Sequence, residues 1–147
     1  MAASRRAAPS TAETSHRMQR VRQQNTSAEA AVRRELYACG LRYRMQVQVL
    51  TKPRRVADVA FSGLRVAVFV DGCFWHGCPE HATWPKANAD FWRSKILANK
   101  ERDLDTDRRL REDGWAVVRA WAHEAPSDVA SRVVSVVRSR RRTEKSR

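Results

Sequence analysis

The 147-residue sequence predicts a single α/β domain, a mixed central β-sheet flanked by helices in the order α-β-β-β-α-β-α. Three observations predict it. Residues 41–49 alternate apolar and polar side chains, the two-residue period of a half-buried strand. Two short valine-rich runs, 56–61 and 65–70, follow on either side of a Ser62-Gly63 break. A long charged stretch over 89–113 then leads to a fourth apolar run at 115–121, the spacing of a crossover helix between strands.

Each element has its own signal. Residues 1–17, rich in Ala, Ser, Arg, Thr and Pro, show no apolar period and are expected to form a flexible basic arm. Thr26 with Glu29 three residues later matches a capping box. The helix it opens runs through Ala30, Val32, Leu36 and Tyr37 to a stop at Gly40, with Cys39 expected in the core. Leu41, Tyr43, Met45, Val47 and Val49 then alternate with Arg42, Arg44, Gln46 and Gln48. A Lys52-Pro53-Arg54-Arg55 turn precedes the second strand, and Ser62-Gly63 makes a tight antiparallel link to the third. Asn88 is the expected N-cap of a helix from Ala89 to Asp113, closed by Gly114. Ser127 is the expected cap of a last helix carrying Val129, Val133, Val136 and Val137. The folded domain is thus placed at 18–137, with 138–147 as a disordered basic tail.

The net charge is +13, from 29 Lys and Arg against 16 Asp and Glu, which points to a polyanionic partner, nucleic acid above all. Residues 1–22 carry five basic groups and one acidic; residues 138–147 carry six and one. The ends therefore hold most of the excess, and +4 remains on the body. No run of 18 apolar residues and no signal-peptide stretch occurs, so a soluble, intracellular protein without a membrane partner is expected. In that compartment two of the three cysteines suit a metal better than a disulfide.

The chemistry-bearing residues concentrate between 58 and 81. Asp58 lies mid-strand among Val56, Ala57, Val59 and Ala60, where a carboxylate is costly to bury unless a cation or donor meets it. Asp71 ends the neighbouring strand twelve residues on, and antiparallel pairing can bring the two together. Paired carboxylates with phosphate oxygens suit Mg²⁺ in phosphodiester cleavage. A solvent-facing, strand-end Asp58 is the plainer alternative. Cys73, Cys78 and His81 have the ligand types and spacing of a Zn²⁺ site, and His123 is the best fourth ligand in sequence, which would close a structural tetrahedron. His76 sits too close to both cysteines to be that ligand and is free for proton transfer. Phe74 and Trp75, with Trp84 and Trp92, suggest an aromatic wedge against bases, although packing accounts for Trp92 equally well. On the long helix Asn99 and Asp103 share a face, whereas Glu101, Asp105 and Asp107 read as ordinary solvated surface.

With these residues assembled, the chain resembles the very-short-patch-repair (Vsr) DNA mismatch endonucleases over about residues 17–124. The element order is also that of the PD-(D/E)xK, restriction-endonuclease-like nucleases. The resemblance rests on Met18-Gln19-Arg20-Val21-Arg22, Glu29, Gly40-Leu41-Arg42-Tyr43-Arg44 and Asp58. It continues through Gly72-Cys73-Phe74-Trp75-His76, Phe91-Trp92, Lys95-Ile96, Asn99, Arg102-Asp103 and Gly114-Trp115. It implies a Mg²⁺-dependent enzyme that nicks one strand of duplex DNA on the 5′ side of the T in a T·G mismatch. Asp58 and the backbone carbonyl of Val70 would hold Mg²⁺, with Asp71 a further candidate, and His76 would act as general base. Glu29 and Asp103 would support the base and the metal's waters, and Asn99 would help. Phe74, Trp75 and Trp92 would intercalate, Cys73 would ligate a structural Zn²⁺, and Met18, Arg20, Arg22, Arg42, Arg44, Arg54 and Arg55 would contact DNA. Also implied are a monomer in the bacterial cytoplasm at the nucleoid and mismatch-repair helper proteins as partners.

Two departures stand out. Family members often carry His at the position of Asp71, and Cys-His-Cys-Cys where this chain offers Cys73, Cys78, His81 and His123. Apart from these family differences, nucleases of this fold usually carry a Lys two residues after the second acidic position; that position here is Cys73, and His76 is the best substitute. Two other functions compete: a restriction or phage-defence nickase of different specificity, and a non-catalytic zinc-containing DNA-binding module.

Overall fold

The computed structural model describes residues 27–73 and 87–146. Helix α1 (27–38) is followed by β1 (Arg44–Leu50), β2 (Arg55–Phe61), a 3-10 turn (Ser62–Leu64) and β3 (Val66–Asp71). Helix α2 (Ala89–Glu112), β4 (Ala116–Trp121) and α3 (Pro126–Lys145) complete the order that the sequence predicts. The sheet runs β1-β2-β3-β4, antiparallel across its first two pairings and parallel between β3 and β4. This four-stranded mixed sheet with three helices makes one α/β domain, consistent with a restriction-endonuclease-like fold.

Strand alternation splits the core into two layers. Val66 and Val68 of β3 join Val59, Phe61, Val118 and Ala120 against Val32 and Leu36 of α1 and Val129, Val133 and Val137 of α3. Ala67 and Phe69 point the other way, joining Ala60, Val117 and Leu110 of α2. The two-residue period thus hands α1 and α3 one face of the sheet and α2 the other.

The glycine stops hold. Gly40 has φ +81; its amide bonds to the Tyr37 carbonyl and the Leu41 amide to the Leu36 carbonyl. Gly114, at φ +86, repeats the pattern, with its own amide on Arg111 and that of Trp115 on Leu110. Both are Schellman closures, in which a left-handed residue lets the chain turn back over its last carbonyls.

Several expectations are corrected. Cys39 is exposed at the turn after α1, outside the core. Strand β1 begins at Arg44, and Gln46 adopts φ 51, which interrupts the alternation: Met45 before it is 55% exposed while Val49 after it is buried. Asn88 precedes α2 in a left-handed conformation, not the extended one typical of a capping residue, and makes no side-chain cap bond. Helix α3 starts at Pro126, with Ala125 as cap residue, so Ser127 lies inside the first turn; proline's fixed φ suits that first position. Residues 138–145, expected as disordered tail, continue α3. Arginine is a good helix former, the buried Val129-Val133-Val137 stripe anchors the preceding turns, and basic charge suits a helix C-terminus. The arm at 1–17, the Thr26 cap, Met18, Arg20 and Arg22 lie outside the described residues, as do Phe74, Trp75, His76, Cys78, His81 and Trp84.

The outer edge of β4 is dressed by side chains. The Trp121 amide donates to the Glu124 carboxylate at 3.1 Å, and the Arg119 carbonyl accepts from Arg132 at 3.3 Å. Glu124 and Arg132 are themselves ion-paired at 2.5 Å. No described helix is long and apolar enough to cross a membrane.

Candidate active site

The site grows from a fork between β2 and β3. Their pairing runs from Phe61 with Val66 to Val59 with Val68 and goes no further. Past that point the Val70 amide, which continued pairing would give to β2's backbone, donates instead to Asp58 Oδ2 at 2.7 Å. Arg65, just before β3, and Asp71, at its end, accept from the Ala116 and Ala122 amides at the two ends of β4. Alternation along the strand therefore turns both the amide and the carbonyl of Val70 the other way, toward Asp58. A carboxylate, a main-chain carbonyl and a main-chain donor thus meet where the sheet opens.

Burial is the largest influence on Asp58, and with the nearby negative charges of Glu29 and Asp71 it raises the carboxyl from 3.8 to about 6. Hydrogen bonds from the Val70 amide and the Gln46 side chain work in the opposite direction. Gln46 also donates to Glu29 Oε1 at 3.2 Å, and that same oxygen accepts from Arg33 at 2.7 Å. Glu29 therefore reaches Asp58 through Gln46, a residue that sequence reasoning missed. The β1–β2 register, Met45 with Val59 and Val47 with Ala57, places it opposite Asp58, and its backbone is left-handed there.

Asp58, Val70 and Asp71 line a cleft of about 230 Å³ together with Arg55 of β2 and Asp103 and Arg119. So the structure brings both sequence-predicted aspartates together, and Asp103 with them. Arg119 is the second residue missed. Its Nη1 sits 3.0 Å from both oxygens of Asp71, its Nε donates to Asp107 at 2.7 Å, and Nη1 lies 3.8 Å from Asp103. The guanidinium also covers the Phe69 ring, 4.3 Å from its centre. Burial opposes its charge, yet the facing carboxylates, Asp71 foremost, leave its pKa raised. Asp107 is thereby corrected: it is buried against Arg119 rather than solvated. The signals were an arginine within the apolar run Val117-Val118-Arg119-Ala120 and two acids four apart on one helix face. Asp105, by contrast, pairs with Arg108 and Arg109 on the surface, and those partners hold its carboxyl below the usual range. Asn99, one turn before Asp103, accepts from Arg102 at 2.9 Å and does not line the cleft.

The donor set suits a hard cation. Asp58 and the Val70 carbonyl are oxygen donors, as Mg²⁺ prefers, and a carboxyl whose ionisation burial resists gains most from a cation beside it. Among the described residues no group of three or more His, Cys, Asp or Glu could hold a metal ion, so oxygens from a bound phosphate or water would have to complete its shell. A second pairing bears on zinc: Cys73 Sγ lies 3.2 Å from His123 Nδ1, fifty residues apart in sequence. Their expected companions Cys78 and His81 fall outside the described residues.

The expected DNA contacts are scattered. Arg55 lines the cleft, tethered to Thr106 Oγ1 at 2.9 Å. Arg54 is exposed, 3.4 Å from Gln48. Arg42 stacks over Tyr37 at 4.2 Å, and with Arg44 and Arg141 it borders a separate open groove. Trp92 is half-buried and meets the exposed Phe91 edge-on at 5.2 Å.

Comparison with known proteins adds the following. The family model described as DNA mismatch endonuclease Vsr matches residues 9–81. The type II nicking enzyme V.NaeI of Lentzea aerocolonigenes is 40% identical over 136 residues, covering 88% of this chain and 80% of that protein. The type II nicking enzyme V.NmeDIP of Neisseria meningitidis serogroup C is 39% identical over 110 residues, 73% of this chain and 72% of that one. The DNA mismatch endonuclease Vsr of Escherichia coli (strain K12) is 33% identical over 111 residues, 73% and 67% respectively.

Proposed function

The chain belongs to the Vsr family of DNA endonucleases, and we propose that it nicks one strand of duplex DNA on the 5′ side of the T in a T·G mismatch. The observation that carries the reading is Asp58 at the β2–β3 fork: half-buried, hydrogen-bonded by the Val70 amide, with the Val70 carbonyl turned to the same side of β3. Asp58 and that carbonyl hold Mg²⁺, which supplies Lewis-acid stabilisation of charge on the phosphate. His76 takes the proton of the attacking water. Glu29, linked to Asp58 through Gln46, and Asp103, which lines the same cleft, orient the polar groups around it.

Cys73 and His123, already paired, bind a structural Zn²⁺ with Cys78 and His81. Phe74, Trp75 and Trp92 supply the aromatic surface that opens the mismatched step. Arg55 in the cleft, together with Arg20, Arg22, Arg42, Arg44, Arg54 and the basic helix end, meets phosphates. The enzyme works as a monomer in the bacterial cytoplasm.

A specific observation favours a second reading: two of the relatives described are named type II nicking enzymes. That reading keeps the chemistry and ties the target to a restriction system's recognition sequence. Incubation with T·G and matched duplexes, in Mg²⁺ or EDTA, separates them. Strand-specific nicking of T·G duplex in several sequence contexts is expected; cleavage of matched duplex as readily as T·G would refute the mismatch reading. Asp58→Ala should abolish nicking while retaining DNA binding, and Mg²⁺-dependent cleavage by that variant would refute the assignment of Asp58.

A further inference from the structure

We propose that Arg119 is a positioning residue for nicking, and that Arg119, not a divalent cation, is the partner of Asp71. The inference rests on the assignment of Asp58 and Val70 as the cation's protein ligands. One nitrogen, Nη1, lies 3.0 Å from both Asp71 oxygens. The same guanidinium holds Asp107 at 2.7 Å and approaches the Asp103 carboxylate at 3.8 Å and its carbonyl at 3.5 Å. It is wedged over Phe69, with its side chain only 19% exposed. Arginine stays protonated throughout the working pH range, so the clamp is permanent. A dication on the Asp71 oxygens would sit against a fixed positive charge that already shares them. Asp58 differs: its side chain accepts from the neutral Val70 amide at 2.7 Å, and the charges that act on it most, Glu29 and Asp71, are negative.

Location gives the clamp its purpose. Asp71 ends β3, directly after Val70 and directly before Gly72-Cys73. Asp103 and Asp107 lie on α2. By tying the three acids together, Arg119 fixes the end of β3 against α2, and with it the orientation of the Val70 carbonyl. A misplacement of about 1 Å at a reacting centre can cost about a hundredfold in rate. Arg119 therefore acts through Asp71 without touching substrate.

The test uses the full chain and Mn²⁺ as a paramagnetic probe, its binding read by electron spin resonance with a T·G duplex carrying a non-cleavable linkage. Asp58→Asn should weaken Mn²⁺ binding about tenfold or more, whereas Asp71→Asn should weaken it far less, and no more than Arg119→Gln does, since both only loosen the Val70 carbonyl. Arg119→Gln should slow single-turnover nicking on the order of a hundredfold at unchanged half-saturating DNA. Arg119→Lys should recover only part, because an ammonium cannot reach all three acids at once. If Arg119→Gln fails to fold by circular dichroism, Arg119→Lys and Asp71→Asn carry the test. Weakening of Mn²⁺ by Asp71→Asn as severe as by Asp58→Asn would make Asp71 a ligand and overturn the inference. Wild-type nicking by the arginine variants would overturn it as well. Unchanged Mn²⁺ binding by Asp58→Asn would instead overturn the cation assignment beneath it.

Discussion

Replacing Asp58 by Asn should make the apo protein more stable at pH 8. The carboxyl is raised from 3.8 to about 6, mainly by burial, so ionising it in the fold is unfavourable by about two pH units. At about 1.4 kcal/mol per unit, that is at most about 3 kcal/mol. Asparagine keeps the shape and an acceptor for the Val70 amide, without the charge. The sign follows from proton binding. Between pH 3.8 and about 6 the native state holds a proton that the unfolded chain has released, so wild-type stability falls as pH rises through that window. Toward the lower edge of the window the difference shrinks, and wild type and variant should nearly converge. Urea melts of both proteins at pH 4 and pH 8, without divalent ions, read the difference directly. Adding Mg²⁺ and duplex at pH 8 should then stabilise the wild type more than the variant, since a ligand that binds only the native state adds to its stability. A variant no more stable than wild type at pH 8, with no difference in pH slope, would refute the argument that Asp58 is held ionised at a cost.

Two further outcomes are expected. Zinc should copurify at about one equivalent, and Cys73→Ser or His123→Ala should lower the melting temperature, because a structural zinc site is coupled to folding; zinc-free, folded protein by elemental analysis would refute this. Trp75→Ala should reduce the T·G-to-matched cleavage ratio roughly five- to a hundredfold, since stacking is worth about 1–3 kcal/mol per base. A lowered melting temperature with full selectivity would make Trp75 a packing residue instead.

What the sequence reveals of this fold is what depends on local rules. Val66 to Val70 and Trp115 to Trp121 announce strands by composition, and Gly40 and Gly114 announce helix ends because few other residues tolerate their φ. Asp58 and Asp71 could be suspected of meeting because a short antiparallel link joins their strands. Arg119 and Asp107 could not be placed so simply. Each looks ordinary within its own element, and only the crossover that lays β4 beside β3 under α2 puts them face to face. Gln46 was hidden for a different reason: alternation predicts its side, but not a left-handed residue within a strand. The reach of α3 to Lys145 was masked by charge, which resembles a solvated tail when packing partners are not in view.

The dressed margin of β4 has a consequence for how this strongly basic protein behaves in company. A bare strand margin offers a row of donors and acceptors on which another chain can continue the sheet. Here Glu124 occupies the Trp121 amide and Arg132 the Arg119 carbonyl, and the two side chains lock one another in place. A newcomer would have to break that ion pair before adding a strand. The opposite margin, β1, is interrupted by the left-handed backbone of Gln46 and carries Arg44, Gln46 and Gln48 as exposed polar side chains. Both rims thus resist templating, so that molecules crowded along a polyanion can lie side by side without their sheets fusing.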